Sequence, residues 1–423
     1  MHHFHYRGGV LHAEDVSLAA IAAAVGTPVY VYSTATIERH YQLFAEALGP
    51  KAHVFYAMKA NSNLAVLKTL AKLGAGADTV SEGEIRRALA AGIAPDKIVF
   101  SGVGKSDQEL AFAVDAGIFQ INIETEGELH ALSRIAAAKN KRQAAVFRIN
   151  PDVGAGGHAK ITTGSSENKF GVSIEEAERL YDTAANMPGV RMLGLAVHIG
   201  SQIRELGDLE AAFARMGELV VTLRGRGHRV ERLDLGGGLG IPYEMGEAVG
   251  HGPDLIQAYA AMVSKRLGTH DVELGFEPGR LIVGNAGVLV TRALHLNRRP
   301  QKTFIVVDAA MNDLVRPAMY DAFHEIWPVA EPAPDANRVP YDVVGPICES
   351  SDQFASARPL PETKPGDLLA FMTAGAYGAT MSSTYNTRLL VPEVLVKGDR
   401  FAVVRPRPTF EELLAQDRLA DWL

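Results

Sequence analysis

Between about residues 50 and 280, short apolar runs alternate with longer amphipathic stretches. The runs are rich in β-branched and aromatic residues and read as buried strands. They are Val54–Ala57, Ala77–Val80, Ile98–Phe100, Phe119–Ile123, Ala144–Ile149, Leu193–His198, Arg232–Leu235 and Glu273–Phe276. Each is followed by a helix-like stretch, the last least clearly. The first four recur at roughly twenty residues, a natural length for one β/α unit. Helix starts are marked by capping-box spacing at Ser81…Glu84, Ser106…Glu109, Thr125…Glu128 and Ser173…Glu176. Successive β/α units predict an α/β chain that opens with a closed (β/α)₈ TIM barrel. An open, doubly wound sheet is the alternative arrangement.

Beyond about Arg280 the period changes. Gly287–Leu296, Thr303–Asp308, Tyr341–Ile347, Asp367–Met372, Leu389–Val396 and Phe401–Val404 read as strands separated by turns. Glu331–Arg338 reads as a loop, and Glu411–Trp422 as a C-terminal helix. Val29–Tyr32 is strand-like and precedes the barrel. The pattern therefore predicts a barrel over 33–283. A mainly β domain, sandwich-like or barrel-like, is assembled from 1–32 and 284–423.

Composition narrows the function classes. A chain of 423 residues with 47% hydrophobic and 22% charged residues fits a soluble globular protein. A net charge of −7 argues against nucleic acid as a partner. No apolar run is long enough to cross a membrane, and no signal peptide is evident. Cys348 is the single cysteine, which excludes an intrachain disulfide and fits a cytoplasmic location. His2, His3 and His5 lack partners at ligand spacing, so no metal is expected.

In a barrel, the active site lies at the C-terminal strand ends. Here the first strand ends at Lys59 and the second leads to Asp78. The fifth ends in Arg148-Ile149-Asn150 and the sixth in His198-Ile199-Gly200-Ser201. The seventh runs into Gly236-Gly237-Gly238-Leu239-Gly240, and the eighth into Glu277-Pro278-Gly279-Arg280. A lysine partly withdrawn from water loses some of its proton affinity and attacks aldehydes. A glycine run lets backbone amides approach an anion, although it also serves as a tight turn. It is no dinucleotide fingerprint, because Ile241 stands where the last glycine is needed. Gly102–Ser106 ends like a P-loop, but Val99 occupies the first glycine position, and Ser106 is better read as a helix cap. A phosphate site beside a reactive lysine points to pyridoxal 5′-phosphate (PLP). A carboxylate such as Glu277 would keep the pyridine nitrogen protonated. His198 would stack on the ring or serve as a structural histidine.

These motifs make the resemblance specific. The chain resembles the alanine racemase-like, fold type III PLP enzymes, and within them the diaminopimelate decarboxylases. The similarity runs nearly end to end. It is carried by Tyr56-Ala57-Met58-Lys59-Ala60-Asn61, Glu167-Asn168-Lys169-Phe170-Gly171, His198–Gln202, Gly236–Tyr243 and Glu277–Arg280. In the β domain it is carried by Asn312–Pro317, Gly345–Ser350 and Gly375–Gly378. Ser351 departs from the glycine more usual there.

The resemblance implies that Lys59 carries the cofactor and His198 stacks on it. Ser201, Gly237 and the Gly279-Arg280 backbone hold the phosphate, Glu277 faces the pyridine nitrogen, and Asp78 and Arg148 lie in the same region. Arg280, Arg316 and Tyr320 grip the distal carboxylate of the substrate. Glu349 takes the distal ammonium, and Tyr377 contacts cofactor and substrate. Cys348 protonates the carbon that loses CO₂. The Cys348 segment completes the neighbouring subunit's site, so a homodimer is implied.

The implied reaction converts meso-2,6-diaminopimelate to L-lysine and CO₂. That substrate has an amino acid group at each end. Arginines and a glutamate supply both signs needed to bind one end while the other reacts. The runner-up is a decarboxylase of another diamino acid, of the ornithine, lysine, arginine or carboxynorspermidine type. A non-catalytic homologue that carries the cofactor or a partner is the reading from another class.

Overall fold

The computed structural model describes residues 2–153, 169–244 and 253–423. Glu167 and Asn168, within one recognised motif, lie outside the described residues. The chain divides into two compact units. One comprises 38–242 with 248–282, and the other 1–37, 243–247 and 283–423.

The first unit is a closed parallel barrel of eight strands. They are Ala52–Ala57, Gly76–Thr79, Ile98–Phe100, Gln120–Ile123, Gln143–Ile149, Val190–Val197, Arg232–Asp234 and Glu273–Phe276. Each pairs with the next along the chain, and the eighth closes on the first through Leu274↔Ala52, Gly275↔His53 and Phe276↔Val54. The open-sheet alternative is excluded by this closure. The strands are apolar on both faces because helices cover the outside and side chains fill the inside. At the N-terminal end the filling is aromatic. His53 and Phe119 lie 5.4 Å apart, and the Arg232 guanidinium sits 3.8 Å over the Phe119 ring. Toward the C-terminal ends the inward positions turn polar, and this polar layer forms the site.

Helix starts follow the sequence signals. Ser81, Ser106, Thr125 and Ser173 each accept a hydrogen bond from the backbone amide three residues on. Of these four, Ser106 and Glu109 alone close a reciprocal box. Glu84 and Glu128 turn instead to the amides of Val80 and Glu124, one residue further back. The side chain of Lys105, beside the rejected P-loop, is buried. Its ammonium donates to Gly102 O, Asn122 O and Glu128 Oε1 at 2.7 Å each, a structural ion pair.

The second unit is built on a nine-stranded sheet. Its spine is the long strand Gly287–Arg298, which pairs antiparallel with Val29–Ser33, Leu368–Phe371 and Thr303–Val307. The N-terminal strand thus joins strands from the far end of the chain. Val29, Val31, Val288, Val290, Val394 and Val396 form the apolar core of this sheet. The short N-terminal strands Phe4–Arg7, Val10–Ala13 and Val16–Ser17 escaped the sequence pattern, as did two strands of this sheet, Ile326–Pro328 and Gln353–Pro361. The second carries Pro359 and Pro361 and lies at a sheet edge, where a missing amide is tolerated. The predicted C-terminal helix is shorter than its pattern, spanning Phe410–Leu414. Leu419 and Trp422 beyond it are exposed, so no core holds the remaining turns in place.

Candidate active site

The polar layer of the barrel gathers residues from all eight of its strand ends. Lys59 lies on a 3₁₀ turn after the first strand, capped by Asn61. Its ammonium is 2.9 Å from Asp78 Oδ2. The lysine side chain is 39% exposed and Asp78 is fully covered, so the carboxylate holds the amine from below while it reaches into the mouth. The other oxygen of Asp78, Oδ1, is buried with no hydrogen-bond partner among the described residues.

Beneath the mouth sits a carboxyl pair. Glu277 accepts from Ser101 Oγ at 3.4 Å and from Asn122 Nδ2 at 3.3 Å. Burial pushes its carboxyl well above the ordinary range, and neighbouring Asp234 and Asp78 push the same way. Asp234 is raised to about 6, chiefly by burial, although the Gly236 amide and a hydrogen bond with Glu277 oppose the shift. Gln120 bridges this layer, donating to Asn122 Oδ1 at 2.9 Å and Asp234 Oδ2 at 3.3 Å. Among the described residues, no cation hydrogen-bonds to Glu277. A buried carboxyl of this kind is suited to a ligand that brings a ring N–H⁺ of its own.

The glycine run forms an anion cradle. At Gly237 an added Cβ would lie 2.2 Å from Glu277 O, and at Gly238, with φ +106°, it would lie 2.5 Å from Gly200 O. No other residue fits at either position. The Gly237 amide donates to His198 Nδ1 at 3.2 Å. An acceptor Nδ1 places the proton of the neutral ring on Nε2. Burial, with the cations Arg148 and Lys59 adding to it, holds the imidazole well below its usual pKa, so the ring is neutral. Arg280 Nη2 donates to Ser201 Oγ at 3.3 Å across the cradle. Gly279 packs tightly on Ala57 and Ala60, at 3.1 Å from an added Cβ to each. Arg148 is paired with Glu124 at 2.8 Å, and Glu124 Oε2 also accepts from the Gly171 amide. Lys169 lies 5.4 Å over the Phe170 ring.

The second unit holds the remaining motif residues in two groups. Arg316 and Tyr320 begin and end one short helix. Arg316 is buried, its guanidinium 4.6 Å over the Tyr243 ring, and its Nη1 donates to His324 Nε2 at 2.9 Å. The other group is the loop from Gly345 to Asp352. Asp352 is buried, accepting from the Met311 and Ile347 amides at 2.7 Å each. That staple leaves Cys348, Glu349 and Ser350 pointing outward. Cys348 is exposed in this chain, so it is not part of the core. Glu349 accepts from Tyr385 Oη and, at 3.1 Å, from Ser351 Oγ. The departure at Ser351 therefore adds a donor to the acidic side chain. Tyr377 is half-buried, in left-handed backbone with φ 55°.

Comparison with known proteins decides between the classes. Residues 34–284 match the family model described as pyridoxal-dependent decarboxylase, pyridoxal binding domain. The chain is 49% identical to a diaminopimelate decarboxylase of Pseudomonas fluorescens, covering 98% of this chain and 99% of that one. It is 44% identical to that of Zymomonas mobilis, with 99% of each covered. This chain belongs to the diaminopimelate decarboxylase family. Among solved structures of the family, the enzyme of Helicobacter pylori in complex with L-lysine superposes with a TM-score of 0.89. That pair is 38% identical, over 94% of this chain and 98% of the other.

The family sequence motifs led to Lys59, His198, Glu277 and Arg316. They did not lead to Ser101, Gln120, Asn122, Asp234, His324, Asp352 or Tyr385. A signal existed for three of these. Gln120 and Asn122 alternate with isoleucines in a buried strand, and Asp234 is a charge inside another.

Proposed function

We propose that this chain is a PLP-dependent carboxy-lyase that converts meso-2,6-diaminopimelate to L-lysine and CO₂, the last step of lysine biosynthesis. Family membership supports the reaction. The observation that carries the chemistry is the Lys59–Asp78 pair in one barrel mouth with a buried carboxyl, Glu277, and a glycine-lined cradle. That set matches an aldehyde, a pyridine nitrogen and a phosphate. PLP, when bound, supplies the electron sink for the pair of electrons left behind as CO₂ departs.

The protein's own residues do the rest. Lys59 would carry the cofactor, with Asp78 orienting its amine. His198, neutral, would stack on the ring without repelling its positive nitrogen. Glu277 would hold that nitrogen's proton. Ser201, Gly237 and the Gly279-Arg280 backbone would bind the phosphate. Arg280, Arg316 and Tyr320 would grip the distal carboxylate, and Glu349 the distal ammonium. Tyr377 would contact both ligands. Cys348 would deliver a proton to the carbon that loses CO₂. Because the loop at Cys348 projects from the chain, it would complete the site of a second copy, giving a homodimer with shared sites. A cytoplasmic location fits the metabolite chemistry.

The deciding assay incubates the purified protein with PLP and a panel of diamino acids and follows CO₂. Release from meso-diaminopimelate, and little from lysine or ornithine, is the expected result. Efficient release from ornithine or lysine instead would sink this reading.

A further inference from the structure

Arg316 carries the selectivity in the proposed reaction, yet a long arginine side chain does not hold one direction by itself. Each unfixed rotamer weakens a two-point grip on a carboxylate. The surroundings of Arg316 show how it is fixed. His324 is 1% exposed and follows the Arg316–Tyr320 helix by four residues. Its Nδ1 lies 2.8 Å from the Met372 carbonyl oxygen. A carbonyl only accepts, so Nδ1 carries a proton. Its Nε2 lies 2.9 Å from Arg316 Nη1, and a guanidinium only donates. Nε2 must therefore be bare. The two contacts together define one neutral tautomer, acceptor toward the arginine and donor toward the backbone.

The Tyr243 ring closes the arrangement. It meets the His324 ring edge-on at 5.5 Å, with an interplanar angle of 86°, and its face lies 4.6 Å from the Arg316 guanidinium carbon. Arg358 Nη1 donates to the His324 carbonyl oxygen at 2.8 Å, pinning the backbone as well. One guanidinium nitrogen is thus engaged by an uncharged acceptor. A carboxylate at that position would neutralise Arg316 and remove its pull on an anionic ligand. An imidazole holds the guanidinium without bringing an opposing charge to it.

We propose that His324 is a positioning residue for substrate selectivity: as a neutral acceptor backed by Met372 O, it fixes the Arg316 guanidinium for a distal carboxylate. This rests on the reading that Arg316 binds that carboxylate.

Holoenzyme variants test it. Glutamine can place an acceptor near the position of Nε2, whereas asparagine reaches only as far as Nδ1. His324→Asn should raise KM for meso-diaminopimelate about tenfold, as expected for losing one charge-assisted hydrogen bond. Its kcat should stay within about twofold, and its cofactor absorbance should be unchanged. His324→Gln should recover most of the KM. L-lysine as inhibitor keeps the distal carboxylate, so His324→Asn should weaken it by a similar factor. Cadaverine lacks the carboxylate and should inhibit parent and variant equally.

A second measurement needs no loss of function. In ¹⁵N-histidine holoenzyme, with the resonance identified through His324→Gln, Nε2 should show the shift of a bare nitrogen. It should move on adding L-lysine but not cadaverine. Equal KM effects for the Asn and Gln variants, loss of cadaverine affinity in step with L-lysine, or a protonated Nε2 would each overturn the proposal. Arg316→Ala separates the two readings. If it leaves KM unchanged, the carboxylate assignment itself fails. If it raises KM and His324→Asn does not, only the positioning role fails.

Discussion

Lys59 Nζ and Asp78 Oδ2 stand 2.9 Å apart, one half-exposed and the other sealed beneath it. They come from adjacent strands whose register sets Ala57 against Asp78. The pairing explains how a lysine two residues past a strand end is aimed without being immobilised by packing. Lys59→Ala should lose the visible absorbance that borohydride bleaches in the parent, and activity with it. A borohydride-trapped PLP adduct on the variant would move the covalent role to another lysine.

The carboxyl pair predicts a pH signature in the cofactor-free protein. Asp234 is raised from its ordinary 3.8 to about 6 in the folded state, and Glu277 is also raised, chiefly by burial. Folded protein then binds more protons than unfolded protein across this range, so stability falls as pH rises. For Asp234 the fall should run from about pH 4 to about pH 6 and level off above. Asp234→Asn should flatten that part of the curve. Chemical denaturation of the apoprotein at several pH values measures it. A stability that rises through this window, with the Asn variant parallel to the parent, would contradict the assignment.

Asp352 accepts two backbone amides and sits against Gly345, where an added Cβ would approach its Oδ2 to 2.4 Å. Asp352→Ala removes both acceptors and should release the loop that presents Cys348 and Glu349. We expect kcat to fall at least about tenfold while the cofactor absorbance and the barrel's stability hold. Unchanged kcat would mean that the loop keeps its shape by other contacts.

Removing Arg316 tests distal recognition directly. Arg316→Ala should cost about 2–5 kcal/mol in kcat/KM for meso-diaminopimelate, because a paired carboxylate loses its partner. Steady-state kinetics on the folded variant read this out. A loss below about twofold would place the distal carboxylate elsewhere.

Shared sites are tested by hybrid dimers. Lys59→Ala and Cys348→Ala should each be nearly inactive alone. After mixing and subunit exchange, half of the dimers would be hybrids carrying one site with both defects and one with neither. Roughly a quarter of parental activity should return. Demonstrated exchange without recovery would confine Cys348 to its own chain.

How much of this was legible beforehand follows from the physics of each element. Strand periodicity and helix caps are local, so the eight barrel strands could be read to within a few residues. The motif residues Lys59, Glu277 and the glycine run were legible for the same reason, since each is set by its place at a strand end. The C-terminal helix was over-read, because amphipathic spacing is retained even where no core receives the apolar face. The strand Gln353–Pro361 was hidden by its prolines, which only an edge position in the folded sheet permits. The partners of the site residues lay beyond the sequence altogether. Asn122 and Glu277 are 155 residues apart, and Asp234 and Gln120 are 114 apart. Closing the barrel brings these groups together, and burial then moves their proton affinities. The sequence by itself determined which chemical groups the chain carries and on which strand ends they stand. Only the tertiary structure decided which of them share protons, because desolvation and hydrogen bonding depend on neighbours that chain order does not reveal.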